Sequence, residues 1–111
     1  MYRTIATYTR PNLDTEFFTL NNNLNDMPGG EILGPAKQYT RMAYKDTGKL
    51  ISTEVTVSPN GLVQTVTMNW LNAQCRSDWL NDPILADAHD YKRVMREINN
   101  IVFVQVFEGD V

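Results

Sequence analysis

The fold is decided by one stretch in the second half of the chain, residues 72–107, which reads NAQCRSDWLNDPILADAHDYKRVMREINNIVFVQVF. Asn72 can cap a short helix over residues 73–80, because its side chain accepts from free backbone N–H groups. Asp82-Pro83 then restarts the helix, since proline lacks a donor that the first helical position does not use. An apolar stripe at steps of three or four predicts a second helical piece. Its members are Ile84, Ala88, Tyr91, Met95 and Ile98.

Strands are predicted on both sides of this broken helix. Residues 101–107 are apolar except for Gln105, so we expect a strand that is buried on both faces. Residues 50–58 and 62–69 form two strands that are joined at Pro59-Asn60-Gly61, a strong hairpin signal. A further strand over residues 38–45 leads into a turn in which Gly48 is free to adopt a positive φ.

The first third of the chain predicts a strand followed by a helix. Residues 2–9 alternate in the manner of a strand, and Pro11 ends it. Asn12 or Asp14 can cap the helix that follows, and Pro28-Gly29-Gly30 ends it before a loop over residues 31–36. The apolar stripe of this helix comprises Leu13, Phe17, Leu20, Leu24 and Met27.

The predicted order is β-α-β-β-β-α-β within one domain that covers residues 1–111. Without the first strand of the middle trio, this is the ferredoxin-like βαββαβ unit, so the fold class is α+β with one extra strand. Two helices cover one face of the antiparallel sheet. We expect a second copy to cover the other face, which makes the protein a homodimer. The alternative is a monomer whose threonine-bearing face is solvated.

Composition narrows the functional classes. The chain has 111 residues, a net charge of −3 and no basic cluster, so we expect neither nucleic-acid nor membrane-surface binding. No apolar run is long enough for a membrane helix, and no signal-peptide pattern precedes residue 20. The single Cys75 excludes an intrachain disulfide and is expected in the core, and cytoplasmic residence is the default expectation. One histidine excludes a multi-histidine metal site within one chain.

Three residues form the strongest candidate site. Trp70 ends a predicted strand, Trp79 lies on the first helical piece, and His89 lies on the second piece beside its apolar stripe. His89 is thereby placed near a cavity between helix and sheet. The alternative for all three is ordinary core packing.

These residues carry a resemblance to a known family. The strand that ends in Trp70, the helix with Trp79-Leu80 and the Ala88-His89 pair resemble the antibiotic biosynthesis monooxygenases, a superfamily of dimeric α/β barrels. Within it, the two tryptophans and the Ala-His spacing are most similar to the haem-degrading branch. The resemblance implies that His89 is the axial haem ligand and that Trp79 packs against the porphyrin. The first-strand asparagine of that branch is replaced here by Thr7, or by Ala6 in a shifted register.

The resemblance leaves three functions open. In a haem site, the aromatic walls include Phe17, Phe18 and Tyr8, and Arg93 meets a propionate. The catalytic residues are then His89, Trp79 and Thr7. In a cofactor-free oxygenase, the substrate pocket is lined by Tyr8, Asn69 and Trp70. The third option is a non-catalytic dimer that binds a small molecule or has a structural role. The predicted core comprises Tyr8, Val55, Val66, Met68, Trp79, Tyr91 and Val104.

Overall fold

The computed structural model describes residues 1–21 and 29–111. It contains a four-stranded sheet and helices that pack on one of its faces. None of the described helices is both long and apolar enough to cross a bilayer. The elements are β1 (Tyr2–Thr9), α1 (Gly30–Thr40) with a π-helical turn (Arg41–Lys45), β2 (Leu50–Val57), β3 (Val63–Trp70), α2 (Ala73–Leu80), a 3-10 turn (Pro83–Leu85), α3 (Ala86–Ile98) and β4 (Val102–Asp110).

The sheet has the strand order β2-β3-β1-β4, and every neighbouring pair is antiparallel. Ala6 of β1 lies opposite Val66 of β3 and Gln105 of β4, and the register with β4 shifts between Ile5 and Ala6. Because strand side chains alternate, Ala6 and Tyr8 share the face that the helices cover, and Ile5 and Thr7 share the open face. This order confirms the predicted α+β ferredoxin-like fold.

The predicted helix from residue 12 is wrong for residues 12–21, which form turns and irregular backbone. Leu24 and Met27 of its stripe lie outside the described residues. Phe17, Phe18 and Thr19 are all buried, and Phe18 has a φ of 54°. Successive helical side chains diverge by about 100°, so a surface helix cannot bury three in a row. The irregular backbone does so, and the Thr19 hydroxyl donates to Gln64 Oε1 at 2.7 Å.

The predicted loop over residues 31–36 and the predicted strand over residues 38–45 are also wrong, because both segments belong to α1 and its π-helical turn. The sheet therefore has no extra strand among the described residues. Pro35 lies inside α1, where proline removes a hydrogen bond and normally bends or breaks a helix. The buried stripe of Leu33, Ala36, Thr40 and Tyr44 compensates for that cost by packing at helical spacing.

The broken helix of the second half is confirmed. The Asn72 side chain accepts a hydrogen bond from the Cys75 backbone N–H at 3.0 Å and caps α2. Asp82 accepts from the Ile84 N–H at 3.0 Å, directly before the 3-10 turn. Cys75 is buried, as expected. The positive φ of Gly48, 82°, is confirmed, although this turn follows a helix and not a strand.

The predicted core is correct on the helix-covered face and wrong at the sheet edges. Val66 and Trp79 are buried, whereas Tyr8, Met68 and Tyr91 are half-buried. Val55 is 39% exposed and Val104 is 49% exposed. Both lie on edge strands, β2 and β4, so each lacks one neighbouring strand. The prediction that β4 is buried on both faces is therefore wrong within one chain.

Asp82 ties α1 to the start of the second helical piece. The hydroxyls of Tyr39 and Tyr44 donate to its Oδ2 at 2.7 and 2.8 Å. Burial by itself raises the pKa of Asp82, but these bonds and the one from Ile84 outweigh burial and lower the pKa. The ionised carboxylate therefore stabilises the fold above the ordinary aspartate pKa of about 3.9, and this contribution is lost as pH falls through the lower folded pKa.

We expect Asp82→Ala to lower the free energy of unfolding by about 1–3 kcal/mol at neutral pH, because a helix cap and a hydroxyl acceptor are removed together. Urea denaturation measures this loss. Asp78→Ala is the matched control, since Asp78 is exposed and accepts only from Gln74 among the described hydrogen bonds. The effect of Asp82→Ala should shrink at about pH 3, and an undiminished loss there would contradict the assignment.

Candidate functional site

A cavity of about 580 Å3 lies between α1, α3 and the covered face of the sheet. Its described lining combines an apolar floor, several hydroxyl and amide groups, and four cationic side chains. The lining residues are Tyr8, Thr19, Leu20, Asn21, Gly34, Lys37, Gln38, Thr40, Arg41, Lys45, Leu50, Thr53, Val66, Met68, Trp79 and Lys92.

Trp79 holds one wall of the cavity in a fixed position. Its indole is 5% exposed, and its Nε1–H donates to Thr40 Oγ1 at 3.0 Å, which connects α2 to α1. The ring of Trp70 lies 5.6 Å from it, centroid to centroid, at a tilt of 48°. A packed and hydrogen-bonded indole of this kind offers a rigid apolar surface to a ligand.

Lys92 is a lining residue that the sequence analysis missed. Its Nζ lies 5.0 Å from the centroid of the Trp79 ring, a cation–π arrangement. Burial and, to a smaller extent, the charges of the nearby Arg96 and Arg76 lower the pKa of Lys92 to about 7. The sequence does contain a signal for this position. Lys92 lies three residues after His89 and three before Met95, and this spacing places it on the apolar side of α3.

His89 makes a contact that connects two helices. Its Nε2 lies 3.1 Å from the carbonyl oxygen of Trp79, and a carbonyl can only accept, so Nε2 carries the proton. The same carbonyl, in the last turn of α2, also accepts a longer bond of 3.4 Å from the Asp82 backbone N–H. Burial lowers the pKa of His89, as does the charge of Lys92. His89 packs edge-on against Trp79 at 4.6 Å but does not line the cavity.

Two residues that the resemblance places around a haem, Phe17 and Arg93, lie outside the cavity. Phe17 is buried beneath the guanidinium of Arg10, which lies 4.4 Å from its ring centroid, and it does not line the cavity. Arg93 is exposed and pairs with Asp90 at 3.7 Å and with Glu97 at 3.8 Å along the outer side of α3.

The residues expected on the sheet are divided between its faces. Tyr8 lines the cavity, and Trp70 is fully buried behind Trp79 without lining it. Thr7 pairs with Thr65 and Val104 on the open face.

Asn69 also takes part in contacts outside the cavity. Its Oδ1 accepts from Arg3 Nε at 2.7 Å, and its Nδ2 donates to Ser52 Oγ at 2.9 Å. Of the sequence-derived site residues, the structure therefore brings Tyr8 and Trp79 together in one cavity.

No protein-family model matches this chain, and no curated protein matches it. Solved structures do resemble it. A proposed antibiotic biosynthesis monooxygenase from Deinococcus radiodurans superposes over 100% of this chain and 95% of its own, with a TM-score of 0.50 and 13% identity. The protein Rv0793 from Mycobacterium tuberculosis superposes over 100% and 98%, with a TM-score of 0.56 and 12% identity.

A third structure is a conserved protein of unknown function and possible oxidoreductase from Bacteroides thetaiotaomicron. It covers 96% of this chain and 95% of its own, with a TM-score of 0.51 and 14% identity. The chain thus has the fold of antibiotic biosynthesis monooxygenase-like proteins. At these identities the similarity establishes the fold alone.

Proposed function

We propose that this protein binds a flat, largely apolar small molecule in the cavity and oxidises it with molecular oxygen without a bound cofactor. The cavity is the observation that carries the proposal. Its volume of about 580 Å3 lies within the range of about 300–1,000 Å3 that is usual for ligand sites. Trp79, Met68 and Val66 offer an apolar surface, and Tyr8 and Lys92 offer polar groups. The fold shared with a proposed monooxygenase supports the oxidative chemistry.

A balanced form of this reaction needs only the ligand and oxygen. A ligand CH2 group beside a carbonyl loses both of its hydrogens, which end in the water that is released, and passes four electrons to O2. One oxygen atom then forms a carbonyl on the product, and the other leaves as water. The cavity binds and orients the ligand, and its walls keep water from the side of the ligand that lies against them.

The haem site implied by the resemblance fits these residues poorly. The Nε2 of His89 is bonded to the Trp79 carbonyl and is therefore not free to ligate iron. Arg93 is paired on the outer side of α3, and Phe17 lies outside the cavity. We therefore derive no step through haem. A hemin titration of wild type and His89→Ala checks this reading: equal or absent Soret shifts are expected, and a saturable shift lost in the variant would contradict it.

Oxygen uptake tests the proposed activity. The purified protein is incubated with polycyclic phenols that carry a CH2 group beside a carbonyl, and oxygen consumption is followed with an electrode. We expect one oxygen molecule consumed per carbonyl formed. Gly34→Phe, which places a ring in the cavity, should abolish uptake, whereas Ile84→Ala, outside the cavity, should retain it. Saturable binding with no uptake would favour the non-catalytic binding protein.

We also propose that the protein is a homodimer. Apolar side chains are exposed along β4, at Val102, Val104, Val106 and Phe107, and long apolar edge strands are normally covered. A second copy that packs on the open face of the sheet covers them by two-fold symmetry.

Val104→Glu is expected to convert the dimer to a monomer, because it places an unpaired charge in the proposed interface. Light scattering should give twice the chain mass of 12.7 kDa for wild type and the single mass for the variant. Val94→Glu, at a valine exposed on α3, is the control and should remain dimeric. Wild type at the single-chain mass would exclude the dimer.

A further inference from the structure

We propose that the ligand of this cavity carries an anionic oxygen, a carboxylate or an ionised phenol or enol, which pairs with Lys92 while the flat part of the ligand lies against Trp79. This inference rests on the proposed occupation of the cavity by a small molecule, and it specifies the chemical class of that molecule.

Cations come from opposite walls of the cavity. Lys37, Arg41 and Lys45 line it from α1 and its π-helical turn, and Lys92 lines it from α3. The first three recur at every fourth residue, so neighbouring members lie on one side of the helix and repel one another. All three residues are exposed, so water screens most of this repulsion, and an anion in the cavity would reduce it further.

No carboxylate is among the described residues that line the cavity. The ion pairs of the described residues join Arg76 to Glu108 and Arg93 to Asp90 and Glu97, and they include none of the four lining cations. The overall charge of the chain is −3, so this positive lining contrasts with the protein as a whole. A local field of this sign attracts anions into the cavity.

Of the four lining cations, Lys92 is the one whose pairing with an anion would be most favourable. Its amine is desolvated beside the Trp79 ring, and a buried charge is costly unless it is paired. The charged or titratable groups that face it are Arg76 from α2, Arg96 and His89 from α3, and Tyr8 from β1. Among the described residues, the carboxylates near these groups act on other partners: Glu108 of β4 lies against Arg76 at 3.8 Å, and Asp82 acts on His89. An anionic ligand would supply the missing partner.

The ligand's apolar part has a defined place as well. Met68 and Val66 of β3 and the Trp79 ring are apolar groups that line the cavity, and the Lys92 amine lies 5.0 Å from the centroid of that ring. An aromatic acid would bury its rings on this surface with its oxygen at Lys92. A neutral aromatic of the same shape would make the same contact between its rings and the apolar groups, but it would leave Lys92 unpaired.

Calorimetric titration with three probes of one shape tests the inference: 2-naphthoate, the neutral 2-naphthamide and the cationic 2-naphthylmethylammonium. Wild type should bind naphthoate about tenfold or more tightly than the amide, and the cation more weakly still. Lys92→Met should remove the preference, and Lys92→Arg should restore most of it. Lys49→Met is the matched control, since Lys49 also lies over an aromatic ring, that of Tyr44, but outside the cavity.

The pH dependence provides a second readout. Naphthoate stays ionised from pH 6 to pH 9, whereas free Lys92 loses its proton near its pKa of about 7. Naphthoate affinity should therefore fall by about tenfold over this interval in wild type and stay level in Lys92→Met. A flat profile in wild type would contradict the role of Lys92.

The outcomes separate this inference from the proposed function. Equal binding of all three probes would leave the cavity as a ligand site and overturn the anion preference. Absence of binding by every probe would overturn both. A preference for naphthoate that survives in Lys92→Met would overturn the assignment to Lys92. A parallel titration uses 2-naphthol as the probe. If the bound naphthol shows the absorbance of its ionised form, the ligand is a phenol or an enol. If naphthoate binds and naphthol does not, the ligand is a carboxylate.

Discussion

Replacing Trp79 by alanine is expected to lower the free energy of unfolding by about 3–5 kcal/mol. The indole is nearly completely buried, and it contacts the second tryptophan, His89 and the Lys92 amine. Its removal leaves a large void and also leaves the Thr40 hydroxyl without the N–H that it accepts. Both losses act at the junction of α1, α2 and the sheet.

Urea or thermal denaturation measures this loss. Leu80→Ala is the control, because Leu80 follows Trp79 on the same helix but is 47% exposed, and we expect a loss of less than about 1 kcal/mol there. A loss below about 1 kcal/mol for Trp79→Ala would contradict the core assignment, because deleting a buried aromatic cannot be that mild in a well-packed site.

Replacing Gly34 by phenylalanine is expected to weaken binding of a flat aromatic ligand by about tenfold or more without unfolding the protein. Gly34 lines the cavity from within α1, and a Cβ built there meets no other side chain or backbone within 4 Å. A phenyl ring therefore extends into the empty volume and competes with the ligand for the surface at Met68 and Trp79.

Gly34→Ala separates occupation of the cavity from effects on the helix. Alanine is favoured over glycine in a helix interior by about 0.8–1.0 kcal/mol, but its Cβ lies against the ring of Pro35, so the variant should have about the stability of wild type while leaving most of the volume open. Ligand affinity should stay near that of wild type in Gly34→Ala and fall in Gly34→Phe. Equal affinity in the two variants would place the ligand outside this cavity.

The second half of the fold could be predicted because its signals are local. Asn72 and Asp82 cap helices through bonds to backbone groups two or three residues away, which a sequence displays directly. The first half depends on long-range packing. Pro35 indicates a loop by local rules, but it lies in a helix because Leu33 and Tyr44 are buried against the rest of the core.

The candidate site could be predicted in part for the same reason. Trp79 was predicted from the family resemblance and Tyr8 as an aromatic wall of the implied site, and both line the cavity. Lys92 was missed because one lysine on an amphipathic helix is ordinarily a solvent-facing residue. Its amine is desolvated in the fold, where it lies over the Trp79 ring of α2.

Strand alternation alone is enough to predict that Asn69 and Trp70 do not line one pocket together. Asn69 and Trp70 are adjacent on β3 and therefore point to opposite faces. Asn69 interacts with Arg3 on the open face, whereas Trp70 enters the core.

The most direct test of the account is to locate a bound ligand by NMR. In a titration with 2-naphthoate, we expect saturable shifts at the Trp79 indole N–H and the Met68 methyl group, both assigned through single variants. Residues of the open face, such as Val104 and Thr65, should be unaffected. Shifts confined to that open face, or no saturable shift at any site, would contradict the assignment of the cavity as the functional site.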